Sequence, residues 1–216
     1  MHHPSKETEK TVAEKIISLA NRCIAEKNSF HIVLAGGETP RAVYALLKDA
    51  KTEWQHWHIY FGDERCEPAG DTNRNDTVAF DAWLAHVAIP CIQIHSIPAE
   101  LPQKICVEQY THTLGSVGNF DLVLLGLGED GHTASLFSGN DWGDAPDALD
   151  VIAVDNAPKA PAQRITLSAK RLSAADNVWF LVSGDSKKDI LQRWQSGETF
   201  PASAIKPKSG IEILQF

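Results

Sequence analysis

The run at positions 120–125, Phe-Asp-Leu-Val-Leu-Leu, places five apolar side chains in six positions and stops at Gly126. It is too short for a helix and too continuous for a half-exposed strand, so it is expected to be a central strand buried on both faces. Such a strand needs a covering layer on each side, and in an open α/β sheet ligands bind beyond the carboxyl ends of the strands. At that end, Gly126 and Gly128 allow a sharp turn and a close backbone approach, while Glu129, Asp130 and His132 put three titratable side chains within four residues. A Gly-x-Gly alone is an ordinary turn. The acid-Gly-His cluster beyond a buried strand makes this stretch a candidate site.

The remaining chain alternates in the same manner. Val12, Ile16, Leu19, Ala20, Cys23 and Ile24 recur at three- and four-residue steps and predict a helix from about Glu7 over 7–27. A buried strand over 30–35 runs into Gly36-Gly37-Glu38-Thr39-Pro40 and a helix from 41, with Thr39 as cap and Pro40 in the first helical position. Backbone N–H groups and the positive end of the helix would then face an anion in the turn. This is neither the P-loop nor the dinucleotide fingerprint, so nucleotide binding is not indicated.

A strand over 56–61 delivers Gly62-Asp63-Glu64-Arg65, either a surface salt-bridge group or the lining of a site. A polar loop over 67–76 leads into a helix through Val78, Phe80, Leu84 and Val87, with Arg74 and Asn75 at its start. Further on, the pattern predicts a strand at 92–97, a helix from 98 to 114, a brief helical turn at 133–137 and a mobile loop at 140–150. Strands follow at 151–154, at 163–168 with one wet face, at 177–182 and at 211–214. The expected fold is α/β: a single domain over residues 1–216 with a mostly parallel sheet and helices on both faces.

Lys and Arg number 20 against 28 Asp and Glu, a formal charge of −8. That balance opposes non-specific attraction to nucleic acid or an anionic membrane, so an anionic small substrate needs a local positive site. No apolar run approaches membrane-spanning length, and the charged N-terminal stretch lacks a signal core, so a cytoplasmic protein is expected. Cys23, Cys66, Cys91 and Cys106 lie far apart without a metal or dithiol spacing and read as reduced thiols. Cys66 sits near charged residues but has no base assigned to it by the local sequence. A metal set drawn from Asp63, Glu64, Asp130 and His132 has one local histidine and no paired-His spacing.

In order along the chain, Ala35-Gly36-Gly37-Glu38-Thr39-Pro40, Gly62-Asp63-Glu64-Arg65, the stretch from Asp121 through Gly126-Leu127-Gly128-Glu129-Asp130-Gly131-His132 to Phe137, Arg164-Ile165-Thr166-Leu167-Ser168 and Gly184-x-x-Lys187 resemble the 6-phosphogluconolactonase family. That family lies within the wider glucosamine-6-phosphate isomerase/deaminase-like superfamily, and the resemblance spans nearly the whole chain. It implies a Rossmann-like, deaminase-like fold and hydrolysis of 6-phospho-D-glucono-1,5-lactone to 6-phospho-D-gluconate in the oxidative pentose phosphate pathway. It implies no metal and no cofactor, and leaves a monomer or small homo-oligomer open. Glu38 departs from the pattern, where a small hydroxyl residue is usual, but backbone N–H contacts to phosphate do not depend on it.

Opening a lactone requires a water made nucleophilic near neutral pH, which assigns His132 as general base. Asp130 would fix its tautomer and stabilise the imidazolium. Arg74 is the first choice for the developing oxyanion and Arg65 the second. The 6-phosphate would sit at Gly36, Gly37 and Thr39, with Arg164 and Lys187 supplying charge. Asp63 would bind sugar hydroxyls or orient an arginine. Two other readings are an isomerase or deaminase of an amino-sugar phosphate, with Asp63 as base, and a non-catalytic sugar-phosphate sensor, which would normally carry a helix-turn-helix segment.

Overall fold

The computed structural model describes residues 5–6 and 8–216. A seven-stranded sheet, parallel throughout, contains β1 (Ser5–Lys6), β2 (Phe30–Leu34), β3 (Trp57–Phe61), β5 (Ile94–His95), β6 (Leu122–Gly126), β9 (Val178–Val182) and β10 (Ile211–Gln215), in the spatial order β1-β10-β9-β6-β2-β3-β5. The run that opened the sequence reading is β6, the middle strand of the seven. Leu122, Val123, Leu124 and Leu125 are all at most 1% exposed, and burying each contributes about 1.5–3 kcal/mol.

The strands are connected by α1 (Glu9–Lys27), α2 (Glu38–Leu47), α3 (Asn75–Ala82), α4 (Gln103–Leu114), α5 (Ala169–Ser173) and α6 (Lys188–Gln195). Both faces of the sheet are covered. Trp83, just beyond α3, packs edge-on against Trp57 of β3, whereas Tyr110 of α4 lies beside Tyr60, which the strand alternation turns to the opposite face. One continuous core runs from Val12 to Leu214. Among the described residues no helix is long and apolar enough to cross a membrane.

The strand order reverses between β2 and β6. From β2 the chain builds outward through β3 to β5, then returns to β6 and builds the other way through β9 to β10. Neighbouring strands whose connections leave in opposite directions open a crevice at their carboxyl ends. Ala35-Gly36-Gly37 and the Gly128–His132 turn lie together at that crevice.

A second sheet was not anticipated. β4 (Asp63–Arg65), β8 (Arg164–Leu167) and β7 (Val151–Val154) form an antiparallel sheet in that order, with Arg65 opposite Arg164. β8 is its middle strand and is buried along its whole length, so the expected wet face is absent. Thr166 satisfies its buried hydroxyl on the Gly62 and Leu167 carbonyls.

Other differences have local causes. The expected helix start at Glu7 lies outside the described residues; α1 starts at Glu9 after a reciprocal cap in which Thr11 N donates to Thr8 Oγ1 and Thr8 N to Thr11 Oγ1. Thr39 does not cap α2. Gly37, at φ 107, is the N-cap and makes no side-chain cap bond, so the helix begins at Glu38 and Pro40 falls within the first turn, where its missing N–H costs nothing. The helix expected to run to Val87 breaks at Trp83, whose ring is fully buried among Tyr44, Trp54 and Trp57. β5 is only two residues long, and α4 starts at Gln103 rather than 98.

Residues 133–137 form a tight turn rather than a helical one, with Thr133 bridged to Leu136 and Ala134 at φ 48. The loop over 140–150 is held down. Trp142 Nε1 donates to Phe137 O, while Ala169 N and Lys170 N, at the start of α5, donate to Trp142 O and Gly143 O.

Candidate active site

The crevice holds a cleft of about 530 Å³. Gly36, Gly37, Thr39, Asp63, Arg65, Asp130, His132, Arg164 and Lys187 line it, together with Asn75, Lys159 and Ser183. Of the residues assigned to catalysis or to substrate binding, Arg74 is the one the fold keeps out of it.

His132 and Asp130 occupy a turn that only glycine permits. Gly131 N donates to Gly128 O at 3.0 Å and Gly128 N to His132 O at 2.8 Å, closing the loop on itself. A Cβ at Gly128 would stand 2.0 Å from His132 Nδ1 and 2.4 Å from Asp130 Oδ1. Gly131 has φ 81, and a Cβ there would meet the Phe200 ring at 2.7 Å. Thr133 Oγ1 ties the turn back to β6 through Gly126 O at 2.8 Å.

Within this turn, His132 Nδ1 lies 2.5 Å from Asp130 Oδ1, and the same oxygen accepts the His132 backbone N–H at 3.2 Å. A carboxylate acceptor keeps the proton on Nδ1, leaving Nε2 with its lone pair as the basic nitrogen. Burial raises the Asp130 pKa, but the hydrogen bonds from the His132 ring and backbone outweigh it and hold the carboxyl below its ordinary value. The His132 side chain is 28% exposed, so water reaches it. Phe137, 5.0 Å from the ring centre, backs one side.

Positive charge comes from the second sheet and from the turn after β9. Arg164 is 6% exposed and uses Nε and Nη2 on the carbonyls of Pro161 and Lys159, at 3.0 Å each. Burial first, and the neighbouring Arg65 charge second, lower its pKa; a guanidinium nevertheless remains protonated. Arg65 donates from Nη1 to Asn73 O at 2.5 Å, and its Nε is buried with no partner. Two paired guanidinium groups with an unspent donor invite an anionic or polarised oxygen. Lys187, in the turn after Gly184, stands 3.8 Å from Glu129 Oε1.

Arg74 has a different fate. It is 2% exposed and grips Asp76 with Nε and Nη2 at 2.9 and 2.7 Å, Glu100 with Nη1 at 2.8 Å, and the Ile97 carbonyl at 2.9 Å. Burial alone would lower its pKa, but the bonds to Asp76 and Glu100 more than offset this, and it stays charged. The assignment of Arg74 to the oxyanion is therefore corrected: its donors are consumed by carboxylates outside the cleft.

Asp63 is 6% exposed with both oxygens engaged, Oδ2 by Ser135 Oγ at 2.5 Å and Oδ1 by Asn75 Nδ2 at 3.1 Å. Asn75, like Lys159 and Ser183, lines the cleft without having been given a role from the sequence, and for Asn75 the available signal was its place at the start of a helix beside a charged strand. Its Oδ1 sits where a Gly36 Cβ would come within 2.0 Å, which explains glycine at that position. Cys66 is partly buried, and burial followed by the Glu64 charge raises its thiol pKa, which argues against a nucleophilic role. Among the described residues no group of three or more His, Cys, Asp or Glu is placed to hold a metal ion.

Known proteins resemble this chain in sequence and in fold. The model of the family described as glucosamine-6-phosphate isomerases/6-phosphogluconolactonase matches residues 4–214. A human GDH/6PGL endoplasmic bifunctional protein is 33% identical over 221 residues, covering 95% of this chain but 28% of that protein, so the chain spans about a quarter of its length. The 6-phosphogluconolactonase of Haemophilus influenzae is 34% identical over 192 residues, 84% of this chain and 82% of that one. Among solved structures, the 6-phosphogluconolactonase of Thermotoga maritima superposes with a TM-score of 0.92 at 28% identity, covering 100% of this chain and 98% of that one.

Proposed function

The chain belongs to the glucosamine-6-phosphate isomerase/6-phosphogluconolactonase family, and on that footing we propose that it hydrolyses 6-phospho-D-glucono-1,5-lactone to 6-phospho-D-gluconate. The observation that carries the reading is the Asp130–His132 pair, 2.5 Å apart in a cleft whose other walls bear Arg65, Arg164 and Lys187. His132 Nε2 takes a proton from water as the water oxygen bonds to the lactone carbonyl carbon, and Asp130 stabilises the imidazolium. Negative charge gathers on the carbonyl oxygen, and Arg65, which lines the cleft and whose guanidinium makes a single protein hydrogen bond, from Nη1 to Asn73 O, is the donor for it. When the carbonyl re-forms, the ring C–O bond breaks and the leaving alkoxide takes the proton back from His132. The 6-phosphate is assigned to the Gly36-Gly37-Thr39 turn at the positive end of α2, with Arg164 and Lys187.

Asp63 supports hydrolysis over isomerisation. A base that shuttles a proton between adjacent carbons needs a free carboxylate oxygen, and both oxygens of Asp63 accept hydrogen bonds within the protein. The same reading takes residues 1–216 as one metal-independent catalytic domain of the cytoplasm, a monomer or small homo-oligomer, which size-exclusion chromatography will resolve.

The decisive assay compares fresh 6-phosphogluconolactone, unphosphorylated gluconolactone and glucosamine-6-phosphate, each with and without chelator. Turnover of the first alone, unaffected by chelator, is expected. Equal turnover of the unphosphorylated lactone, deamination of the amino sugar, or loss with chelator and rescue by zinc would each refute the reading.

A further inference from the structure

β4 alternates like any strand, so Asp63 and Arg65 turn to the cleft they line while Glu64, between them, is fully buried. Its carboxylate is nevertheless busy. Oε1 accepts from Arg65 N at 2.8 Å and from Asn75 N at 2.7 Å, and Oε2 accepts from Asp76 N at 2.9 Å. Asn75 and Asp76 open α3, where backbone N–H groups have no acceptor within the helix. The N-cap residue, Arg74, makes no side-chain cap bond. A carboxylate from a strand in the second sheet does that work instead.

We propose that Glu64 is a positioning residue for catalysis: its single carboxylate locks Arg65 and Asn75 to each other and so holds the unpaired edge of the Arg65 guanidinium at the reacting oxygen. The inference rests on the reading of Arg65 given above. Four further contacts make the lock a node rather than an isolated cap. Asn75 Nδ2 reaches back to the Asp63 carbonyl at 2.9 Å and to Asp63 Oδ1 at 3.1 Å. Its Oδ1 packs into the space that the missing Gly36 Cβ leaves in the phosphate turn. Arg65 Nη1 holds Asn73 O, two residues before Asn75, so the arginine grips at its tip the segment that Glu64 grips at its base.

The chemistry at position 64 is specific. Gln keeps the shape but turns an NH2 towards one of the three N–H groups, and Asp keeps the carboxyl group but is one methylene too short to reach both α3 and the Arg65 backbone. Neither change touches a group that meets substrate. The effect must therefore pass through Arg65 and Asn75.

The test is a double-mutant cycle on the full chain with Glu64→Gln, Arg65→Ala and the pair, assayed on 6-phosphogluconolactone with the spontaneous rate subtracted. Thermal unfolding and the Kd for 6-phosphogluconate are recorded in parallel. Glu64→Gln is expected to lower kcat about 10- to 100-fold, the range for a mispositioned group, with KM and the product Kd moving less than about threefold. In the Arg65→Ala background it should cost less than about twofold more.

Equal losses in both backgrounds, or a KM change larger than the kcat change, overturn the positioning role while leaving Arg65 in place. An Arg65→Ala enzyme at wild-type kcat overturns the reading of Arg65, and the inference falls with it. If Glu64→Gln does not fold, Glu64→Asp runs through the same cycle with the same criteria.

Discussion

Replacing His132 with Asn is the sharpest test of the chemistry, because the structure separates what the side chain does from what the residue does for the fold. The bond that closes the turn, from Gly128 N to His132 O, belongs to the backbone and survives. The side chain is 28% exposed, so its loss leaves no buried cavity. What disappears is the proton acceptor, and general-base catalysis is typically worth about 10² to 10⁴ in rate. Asp130→Asn should cost less. One oxygen, Asp130 Oδ1, receives both the ring Nδ1–H and the His132 N–H, and Asn can present its carbonyl there and keep the tautomer. Only the charge is lost. A hydrogen bond to a charged partner exceeds a neutral one by about 1–1.5 kcal/mol, which is roughly a 5- to 12-fold rate loss. Because the two residues act as a unit, the double variant should fall close to His132→Asn alone. The assay is initial-rate hydrolysis against pH, corrected for spontaneous opening, with 6-phosphogluconate affinity as the control. A folded His132→Asn protein at the wild-type rate, or additive losses in the double variant, would refute the assignment.

Three further outcomes are expected. Arg164→Gln or Lys187→Met should raise KM far more than it lowers kcat, since a phosphate contact is made equally in ground and transition states; a change confined to kcat would mean that these cations act at the reacting carbonyl. Gly128→Ala should imitate His132→Asn in rate while leaving the circular dichroism spectrum unchanged, because its Cβ would land 2.0 Å from Nδ1 and displace the imidazole; wild-type kinetics in that variant would contradict the turn geometry. His31, His58 and His95 stack across β2, β3 and β5, with ring centres 4.5 and 5.9 Å apart. Burial first, then the His58 charge, lowers the His31 pKa to about 4, and burial lowers the other two. The unfolded chain, with histidines near 6.5, binds more protons over that window, so stability present above about pH 6.5 is lost as pH falls towards 4. Urea unfolding at several pH values should show a shallower acid loss in His31→Asn, and an identical slope would sink this account.

How much of the fold could be read depended on whether a local pattern reports its own environment. Runs such as 120–125 and 177–182 are apolar at every core position, and only a strand buried on both faces satisfies that, so β6 and β9 lie within a residue or two of expectation. β8 has an alternating pattern, Arg-Ile-Thr-Leu, which reads as half-exposed. Its polar residues are buried instead because each finds a partner: Thr166 meets Gly62, 104 residues earlier, and Arg164 folds back on the carbonyls of Lys159 and Pro161 in the loop just before it. No window around 164 contains the first of those partners. For the same reason, Asp63-Glu64-Arg65 reads as a surface salt-bridge group or a site lining, with nothing to show that it is a strand of a second sheet.

The site divides along a similar line. Residues placed by backbone geometry, the glycines at 36, 37 and 128 and the Asp130–His132 pair, could be brought to one cleft from the sequence because turn and polar side chains lie within a few positions of one another. Arg74 and Arg65 were not separable. Each is an arginine beside acidic residues near the end of a strand or the start of a helix, and composition treats them alike. The difference lies in how many donors remain. Asp76 and Glu100, together with the Ile97 carbonyl, occupy the Arg74 guanidinium, whereas Arg65 makes one bond to Asn73 and keeps its Nε unspent. An arginine whose fork is fully bonded inside the protein supports the wall of a site. One that lines a cleft with donors left over is free to meet a ligand oxygen, and that count exists only once the chain has folded.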